Sequence, residues 1–254
     1  MKTDFKLRYQ NSVLGYLWTL LRPLFLFAIL YVVFVYILNT SGDVPHFGVY
    51  LLIGIVLWNY FVEVTTGSVG AIVGKGDLMR KVGFPRYVIV LAGSFAALIN
   101  LAFNFVVIAI FMIASRTQVS PTIIFLPLLI LELFIFALSI GFLLSALYVK
   151  FRDVNFIWEV GIQGAFFATP IMYGFKLVTS KRHGLLLAKL LLLNPMAQLM
   201  QDIRYMLVSP KTATISSIFH SEAARLIPVG IVLLVAVVSI RYFKRRSPHF
   251  AEDV

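Results

Sequence analysis

Long apolar stretches alternate with short polar breaks along almost the whole chain. A helix that crosses the hydrocarbon core needs roughly 20 mainly apolar residues, and six stretches are close to or above that length. Because a spanning segment must pair its backbone polar groups internally, the pattern predicts an all-α integral membrane protein with a single transmembrane domain over residues 1–254. The six predicted spans are residues 16–38, 47–71, 88–114, 121–149, 154–175 and 226–243.

Composition supports a membrane protein and narrows the chemistry. Of the 254 residues, 60% are hydrophobic and 13% are charged, and the mean hydropathy is +0.93. The net charge of +11 would indicate a nucleic-acid partner in a soluble protein, but here the basic residues flank apolar spans. Membrane topology and anionic headgroups explain such residues first, so no nucleic-acid partner is expected. The chain has no cysteine, which excludes disulfides and thiolate chemistry.

The distribution of Lys and Arg predicts the orientation in the membrane. With both termini in the cytoplasm, the inner segments hold 14 of the 22 basic residues and the outer segments hold 8. Cytoplasmic loops normally carry the excess of basic residues, so cytoplasmic termini are predicted. Seven of the eight outer basic residues, Arg204 among them, fall in the one long outer segment between the fifth and sixth predicted spans.

The residues before the first span predict an amphipathic helix. In MKTDFKLRYQNSVLGY, Phe5, Tyr9, Val13 and Tyr16 recur three or four residues apart, which puts them on one helical face. Residues 1–15 are therefore expected to lie in the cytoplasmic interface, although a frayed cytosolic tail is the alternative. The apolar run that follows is too long for a secretory signal and lacks a small-x-small cleavage site, so we interpret it as the first span.

Two proline-containing breaks interrupt the later apolar stretches. Pro170, in ATPIMYG at 168–174, is expected to break the fifth span near its outer end. Asn194-Pro195 divides LLLAKLLLLNPMAQLM, residues 185–200, which is too short to cross the bilayer. The pattern predicts a re-entrant hairpin on the outer face, whose backbone must be buried in protein or line a cavity. The alternative is an amphipathic outer loop that rests on the headgroups.

Few residues carry recognisable nucleotide-binding or metal-binding chemistry. GAIVGKG, residues 70–76, looks like a phosphate-binding loop, but it has three residues between its first two glycines and lacks a Ser or Thr after the lysine. ATP is therefore not expected to bind there. The four histidines are scattered, without the spacing of metal ligands, and no metal site is predicted.

Three carboxylates fall inside predicted spans: Glu63, Glu132 and Glu159. An ionised side chain at mid-bilayer costs about 2.5–3.5 kcal/mol on insertion scales, and it normally faces a cavity or a partner. One interpretation is a proton or cation pathway, which would make the protein an ion-coupled secondary transporter. The other is that the carboxylates join helices or line an aqueous conduit, and the sequence leaves both roles open.

Four stretches of the chain, in the same order, resemble one family of transport proteins. They are LRYQNSVLGYLWTLLRPLFLFAILYVVF (7–34), GKGDLMRKVGFPRYVIVLA (74–92), LYVKFRDVNFIWEVGIQGAFFATPIMY (147–173) and NPMAQLMQDIRYML (194–207). The family is the membrane (permease) subunit of bacterial ABC transporters that export O-antigen, teichoic acid and related cell-surface polysaccharides. The resemblance extends from near residue 5 to the C-terminal tail, and it implies a transport subunit and not an enzyme.

The resemblance also implies partners. It implies a homodimer in the bacterial inner membrane that works with two copies of a separate cytoplasmic ABC ATPase. That ATPase would bind ATP and Mg²⁺, so no cofactor is expected in this chain. Residues 75–86 resemble a cytoplasmic coupling helix that docks on the ATPase, with apolar anchors and a charged rim. The residues expected at this interface are Lys75, Asp77, Leu78, Met79, Arg80, Lys81, Phe84 and Pro85.

A lipid-linked polysaccharide, the substrate that the resemblance implies, needs a lined conduit. Sugar hydroxyls are costly to desolvate in hydrocarbon, whereas aromatic rings offer flat apolar surface to the C–H faces of sugars. Similar permeases have spans one and five around the path, which identifies Tyr31, Phe34, Phe167 and Tyr173 as expected lining residues. Contact with lipid and anchoring at the interface are the alternative roles for such residues.

Two further sites follow from the same resemblance. Arg8 and Arg22 lie at the inner mouth of span one, where guanidinium groups would pair with the pyrophosphate of the lipid carrier. Snorkelling to the headgroups is the alternative. The segment from about 176 to 223, with Asn194 and Pro195 at its break, resembles the short periplasmic gate helices that close the outer mouth.

Two alternative functions complete the interpretation. A permease of the same fold that exports a drug or a lipid is one of them, but such a protein would be expected to have a shorter outer segment and fewer aromatic residues. A membrane glycosyltransferase is the other, and it would need several carboxylates facing the lipid carrier. The nearest candidate, FRD at 151–153, has one.

Overall fold

The computed structural model describes residues 17–38, 44–75 and 85–250, and within those ranges every regular element is a helix. The predicted interface helix at residues 1–15, which includes Arg8, lies outside the described residues. Six of the residues expected at the ATPase interface also lie outside them: Asp77, Leu78, Met79, Arg80, Lys81 and Phe84.

Ten α-helices follow one another in the part of the chain that the structure describes. The first five are α1 (Leu17–Tyr31, continued by the π-helical stretch Val32–Ile37), α2 (Phe47–Val69), α3 (Arg86–Ser115), α4 (Leu126–Lys150, preceded by the 3-10 turn Pro121–Phe125) and α5 (Val154–Ala168). The last five are α6 (Phe175–Thr179), α7 (Gly184–Leu193), α8 (Pro195–Leu207), α9 (Ile215–Phe219) and α10 (Leu226–Arg246).

Five of the six predicted spans are helices long and apolar enough to cross a membrane. They are Trp18–Ile37, Phe47–Val69, Arg86–Ser115, Pro121–Lys150 and Glu222–Arg246. The chain is thus a multi-pass, all-helical membrane protein over its described residues, as the hydropathy pattern predicts.

The predicted span 154–175 differs from the helix found there. α5 ends at Ala168, and its 15 residues rise only about 22 Å, against a hydrocarbon core of about 30 Å. The reason is Pro170, which has no N–H to donate and excludes the helical region for the residue before it. Thr169 accordingly has extended backbone angles, φ −91° and ψ 139°.

α2 is the central helix of the bundle. Its most apolar window is 78% buried, against 11% for the first span. Residues 47–62 carry no charge, and a helix that is apolar on all sides belongs in the interior. α1, α3, α4, α5 and α8 all pack on α2, whereas α10 packs mainly on α4.

Smaller clusters of buried residues lie at the two ends of the bundle. At the end that holds residue 75, Ile72 packs with residues from α3, α4 and α10, among them Val90, Phe142 and Phe243. At the other end, the segment between α5 and α10 has its own cluster: Phe175, Ala188, Leu192, Ile215 and Ala224. The short helices predicted before the last span are therefore present and share a common apolar core.

Candidate functional site

α5 presents one face to the core and another away from it. Trp158, Ala165 and Phe166 pack against the main core, and Trp158 Nε1 donates to Thr65 Oγ1 on α2 at 3.3 Å. Because carboxylate and amide side chains inside a membrane normally border water or protein, the polar groups on the other face are notable. That face is exposed and carries Phe156, Glu159, Val160, Gln163 and Phe167 at three- and four-residue spacing.

Phe167 and Tyr173, both predicted to line the conduit, lie together at the C-terminal end of α5. Phe167 is 67% exposed. The Tyr173 hydroxyl donates weakly to the carbonyl oxygens of Phe167 and Ala168, at 3.4 and 3.5 Å, and so it offers a partner to carbonyls that the end of the helix leaves free. The structure thus brings these two predicted lining residues together.

Tyr31 and Phe34, the other two predicted lining residues, lie on the side of α1 that faces α2. The Tyr31 ring is 5.5 Å from the Phe27 ring and covers Gly48, where a Cβ would lie 3.1 Å from Tyr31 Cε2. Phe34 belongs to the π-helical stretch, and its ring is 6.2 Å from that of Phe47. Both side chains are half-buried and pack against the main core. Their role in lining the conduit stays a prediction.

The described ends of the predicted coupling segment both lie at the same end of the bundle. Lys75 ends the 3-10 turn Val73–Lys75, and Pro85 directly precedes α3. Ile72 and Ile89, next to these two ends, share one buried cluster. Arg22, predicted to meet the lipid carrier, is exposed on α1. The roles of these residues also stay predictions.

The break at Asn194-Pro195 has the geometry of a capped helix start. α7 ends at Leu193, and the Asn194 side chain accepts a hydrogen bond from the Met196 N–H at 3.0 Å. Pro195 occupies the first helical position, where a missing N–H costs nothing. The prediction that this dipeptide divides two helices is confirmed. We call α7 and α8 together, Gly184–Leu207, the outer hairpin.

The two halves of the outer hairpin differ in burial. Every residue from Pro195 to Arg204 in α8 is buried, and α8 packs on α2, α4 and α10. α7 instead exposes Leu185, Leu186, Leu187 and Leu190. Burial of α8 in protein meets the condition that a re-entrant hairpin places on its backbone, and the re-entrant arrangement stays a prediction.

Arg204 on α8 is fully buried, and its hydrogen bonds go to uncharged oxygens. Nη1 donates to the carbonyl of Pro170 at 2.6 Å, Nη2 to that of Ile171 at 2.7 Å, and Nε to that of Tyr50 at 3.0 Å. Nη1 also donates to Gln201 Oε1 at 3.3 Å. The guanidinium lies over the Tyr50 ring, with 3.5 Å from Cζ to the centroid, a distance typical of a cation–π contact.

Tyr50 extends this arrangement through its hydroxyl group. The hydroxyl lies 3.2 Å from both the Tyr173 carbonyl and Gln201 Oε1, so it donates to one or the other. The carbonyl groups held in this way belong to the stretch where the chain leaves the helix after Ala168, and unpaired carbonyls inside a membrane are costly. We call this set of groups the Arg204 clamp: the side chains of Tyr50, Gln201 and Arg204 with the carbonyls of Pro170, Ile171 and Tyr173.

The sequence analysis did not identify the Arg204 clamp. It counted Arg204 among the basic residues of the outer segment without a prediction of its burial, and the structure shows that the side chain is part of the core. It also did not single out Gly54, where a Cβ would collide with Arg204 Nη2 and lie 3.1 Å from the Ile171 carbonyl. One signal was available: Asp202 and Arg204 are the only charged residues in NPMAQLMQDIRYML, which is unusual for a solvated loop.

Asp202 is the second charged residue of α8. It is buried, and Gln198 Nε2 donates to its Oδ2 at 2.6 Å. Burial raises the pKa of Asp202 above its ordinary value, while the hydrogen bond from Gln198 acts in the opposite direction. Burial thus favours the neutral acid at this position.

The three carboxylates predicted inside spans have different surroundings. Glu63 Oε1 accepts a hydrogen bond from Asn100 Nδ2 at 2.9 Å, which joins α2 to α3. Glu132 on α4 is half-buried, and its Oε1 has no hydrogen-bond partner among the described residues. Glu159 lies on the exposed face of α5. Within the described ranges, no three His, Cys, Asp or Glu side chains are grouped so that they would hold a metal ion.

This chain is similar in sequence to a family of transporters and to two O-antigen export permeases. Residues 1–208 match the family described as ABC-2 type transporter. The chain is 28% identical over 250 residues to the O-antigen export system permease protein RfbA of Klebsiella pneumoniae, covering 98% of this chain and 91% of that protein. It is 27% identical over 255 residues to a protein of the same name from Myxococcus xanthus, covering 100% and 93% of the two chains.

Proposed function

The chain belongs to the ABC-2 type transporter family, and from this membership we propose that it is the membrane subunit of an ATP-driven exporter of a lipid-linked polysaccharide such as O-antigen. The observation that carries the proposal is the similarity to O-antigen export permeases of two species over at least 91% of their length. In this function the chain is a transport subunit and not an enzyme, and a separate ABC ATPase subunit hydrolyses ATP.

The exposed face of α5 supports a path for sugars. The side chains of Phe156 and Phe167 offer flat apolar area, and Gln163 offers both a donor and an acceptor to hydroxyl groups. If this face contacted lipid, burial of the Glu159 carboxylate in hydrocarbon would be energetically costly. In the proposed homodimer, the α5 helices of two subunits face each other across the passage. Tyr173 contributes at its outer end, and Tyr31 and Phe34 contribute from α1.

The fifth apolar stretch crosses the membrane in two parts in this proposal. α5 provides about 22 Å, and the non-helical residues 169–174 provide the rest. Irregular backbone at membrane depth is tolerated where it is buried in protein. The Arg204 clamp supplies partners for two of its carbonyls, and the Tyr50 hydroxyl lies 3.2 Å from a third. Six crossings then leave both termini in the cytoplasm of a bacterium, with the chain in the inner membrane.

The two ends of the passage have separate roles. On the cytoplasmic side, residues 75–86 form the coupling helix that docks on the ATPase, two copies of which serve the dimer. Arg8 and Arg22 meet the pyrophosphate of the lipid carrier at the inner mouth. On the periplasmic side, the segment from about 176 to 223, hinged at Asn194 and Pro195, is the gate that closes the outer mouth.

ATP hydrolysis by the purified complex tests this proposal. The chain and its ATPase are placed in lipid nanodiscs and exposed to a polyprenyl-pyrophosphate-linked glycan, to the same carrier without glycan, or to a drug. We expect the ATPase to co-purify with the chain and to be stimulated most by the glycan-linked carrier. Equal stimulation by the bare carrier or by the drug would favour another cargo, and the absence of an associated ATPase would favour a secondary transporter.

A charge reversal tests the docking site within the same assay. Arg80→Glu with Lys81→Glu is expected to abolish co-purification or stimulation, since both residues lie in the proposed coupling helix. The matched control is Lys244→Glu with Arg245→Glu, two exposed basic residues at the cytoplasmic end of α10. If the coupling variant and the control variant behave alike, the docking assignment is wrong.

A further inference from the structure

Arg204 connects three parts of the chain that are far apart in sequence. Its own helix α8 is half of the outer hairpin, Tyr50 is on the central helix α2, and residues 170–171 follow the end of α5. These partners are 154 and 33–34 residues away along the chain. The guanidinium is thus a junction between the proposed gate and the end of the helix proposed to line the passage.

The geometry requires an arginine and not merely a positive charge. A guanidinium is planar and directs five N–H donors along fixed axes, whereas a lysine ammonium is a compact point charge on a flexible stem. Here three different nitrogens of one side chain reach three backbone carbonyls on two segments. The plane of the group also lies against the Tyr50 ring. A lysine at this position would satisfy only part of this set.

The close approach of Arg204 to α2 requires a glycine at position 54. Gly54, one helical turn after Tyr50 on α2, has its Cα directly beside Arg204 Nη2, so that even a methyl group would collide with the guanidinium. The Ile171 carbonyl, one of the acceptors, is also close to the same glycine. A side chain at position 54 would therefore displace the guanidinium from its acceptors.

We infer that Arg204 is a positioning residue that holds the outer hairpin and the non-helical stretch 169–174 in a single arrangement, so that the proposed gate cannot open without a rearrangement of the stretch that follows α5. The role of Arg204 in gating rests on the proposed function, but the contacts of the Arg204 clamp are present whatever the chain transports. Opening the gate by moving α8 away from α2 would break the Arg204 clamp and release the carbonyls of Pro170 and Ile171. The stretch 169–174 would then have to rearrange together with the gate.

The absence of cysteine in the chain allows a direct test with single reporter cysteines. Ala197→Cys places a thiol in the first turn of α8 at a fully buried position, and Ala146→Cys places one at a 2% exposed position in the cluster at the other end of the bundle. The measured quantity is the rate of maleimide labelling of each cysteine in the full chain in lipid nanodiscs, both alone and in the complex with its ATPase. The rate at position 197 reports local opening of the outer hairpin. The rate at position 146 reports destabilisation of the whole bundle.

Two variants disturb the clamp in different ways, and each has a matched control. Arg204→Lys keeps the charge, and its control is Arg225→Lys, an exposed arginine with one ion pair to Glu222 at 3.3 Å. Gly54→Ala keeps Arg204 but displaces its guanidinium. The control for it is Gly67→Ala on the same helix, where an added Cβ meets nothing within 4 Å.

We expect Arg204→Lys and Gly54→Ala each to raise the labelling rate at position 197 by at least about tenfold, with the rate at position 146 unchanged. The control variants should leave both rates as in the parent protein. The inference is overturned if the rate at position 197 does not respond to either variant, or if both positions become labelled faster together, which would mean general destabilisation. If Arg204→Lys yields no folded complex, Gly54→Ala decides the question. Because the labelling does not depend on which cargo the complex moves, this result is separate from the test of the proposed function.

Discussion

The guanidinium group of Arg204 lies on the ring of Tyr50, 3.5 Å from Cζ to the ring centroid, while its Nε donates to the carbonyl of the same tyrosine. Tyr50 on the central helix thus contacts the flat face of the guanidinium with its ring and the Nε–H group with its backbone carbonyl. The Tyr50 hydroxyl then reaches the segment that follows α5. This relationship explains how a membrane protein keeps a buried cation and a broken helix next to each other without a counter-charge among the acceptors of that cation.

The Tyr50 hydroxyl is predicted to contribute measurably to stability. Tyr50→Phe keeps the ring beneath Arg204 but removes a donor that lies 3.2 Å from one buried and one partly buried acceptor, so the free energy of unfolding should fall by about 1 kcal/mol. The measurement is thermal or denaturant unfolding of the purified protein. Tyr60→Phe is the control on the same helix, because the Tyr60 hydroxyl is buried without a hydrogen-bond partner in the described structure. Equal losses in the two variants would argue against the clamp.

Asn194 is predicted to stabilise the outer hairpin as a helix cap. Asn194→Ala removes the acceptor of the Met196 N–H and should cost about 1 kcal/mol of stability. Asn194→Ser keeps a capping oxygen and should stay within a few tenths of a kcal/mol of the parent protein. Unfolding midpoints of the three proteins check this order. A serine variant as unstable as the alanine variant would mean that Asn194 matters for something other than capping.

Glu63 is predicted to join helices and not to carry protons. Glu63→Gln keeps an oxygen that accepts from Asn100 Nδ2, so ATP-driven export should stay within about twofold of the parent rate, equivalent to ~0.4 kcal/mol. Export assays in vesicles that contain the ATPase provide the measurement. An ion-coupled mechanism that uses Glu63 needs a titratable group there, and loss of export in this variant would support that mechanism instead.

Phe167 is predicted to act on the cargo and not on folding. It is 67% exposed, so Phe167→Ala should leave assembly and unfolding unchanged but slow export by about threefold to tenfold, since aromatic contacts contribute ~0.5–1.5 kcal/mol. Leu234→Ala on α10 is the control, because Leu234 is similarly exposed at 63% but lies on a helix outside the proposed passage. Equal export rates in the two variants would remove Phe167 from the lining.

Much of the fold follows from chemistry that is local in sequence. Apolar length predicts five spans with helix bounds within about four residues of those observed. The effect of proline on the preceding residue predicts the break at Pro170, and a capping asparagine before a proline predicts the division at Asn194. The fifth predicted span extends past that break to residue 175, because hydropathy does not register where the backbone leaves the helical region.

The Arg204 clamp depends on contacts that are distant in sequence. The hydrogen bond between Arg204 and Tyr50 joins residues 154 positions apart, and the need for it arises only from carbonyls that the proline break leaves unpaired. A count of basic residues along the chain treats Arg204 as one more loop charge, because the charge of a residue does not reveal its burial. Tyr31 and Phe34 also depend on contacts that are distant in sequence. Hydropathy places both residues in the first span, but it does not indicate that their side chains lie on the face that packs on α2.

In the proposed function, this chain forms a passage for a glycan and takes its driving force from a separate ATPase. Translocation of a lipid-linked glycan into sealed proteoliposomes tests the claim most directly, with the chain reconstituted alone or together with the ATPase subunit. We expect translocation only when the ATPase and hydrolysable ATP are both present. Translocation by the chain alone, driven by an ion gradient or without any nucleotide, would contradict it.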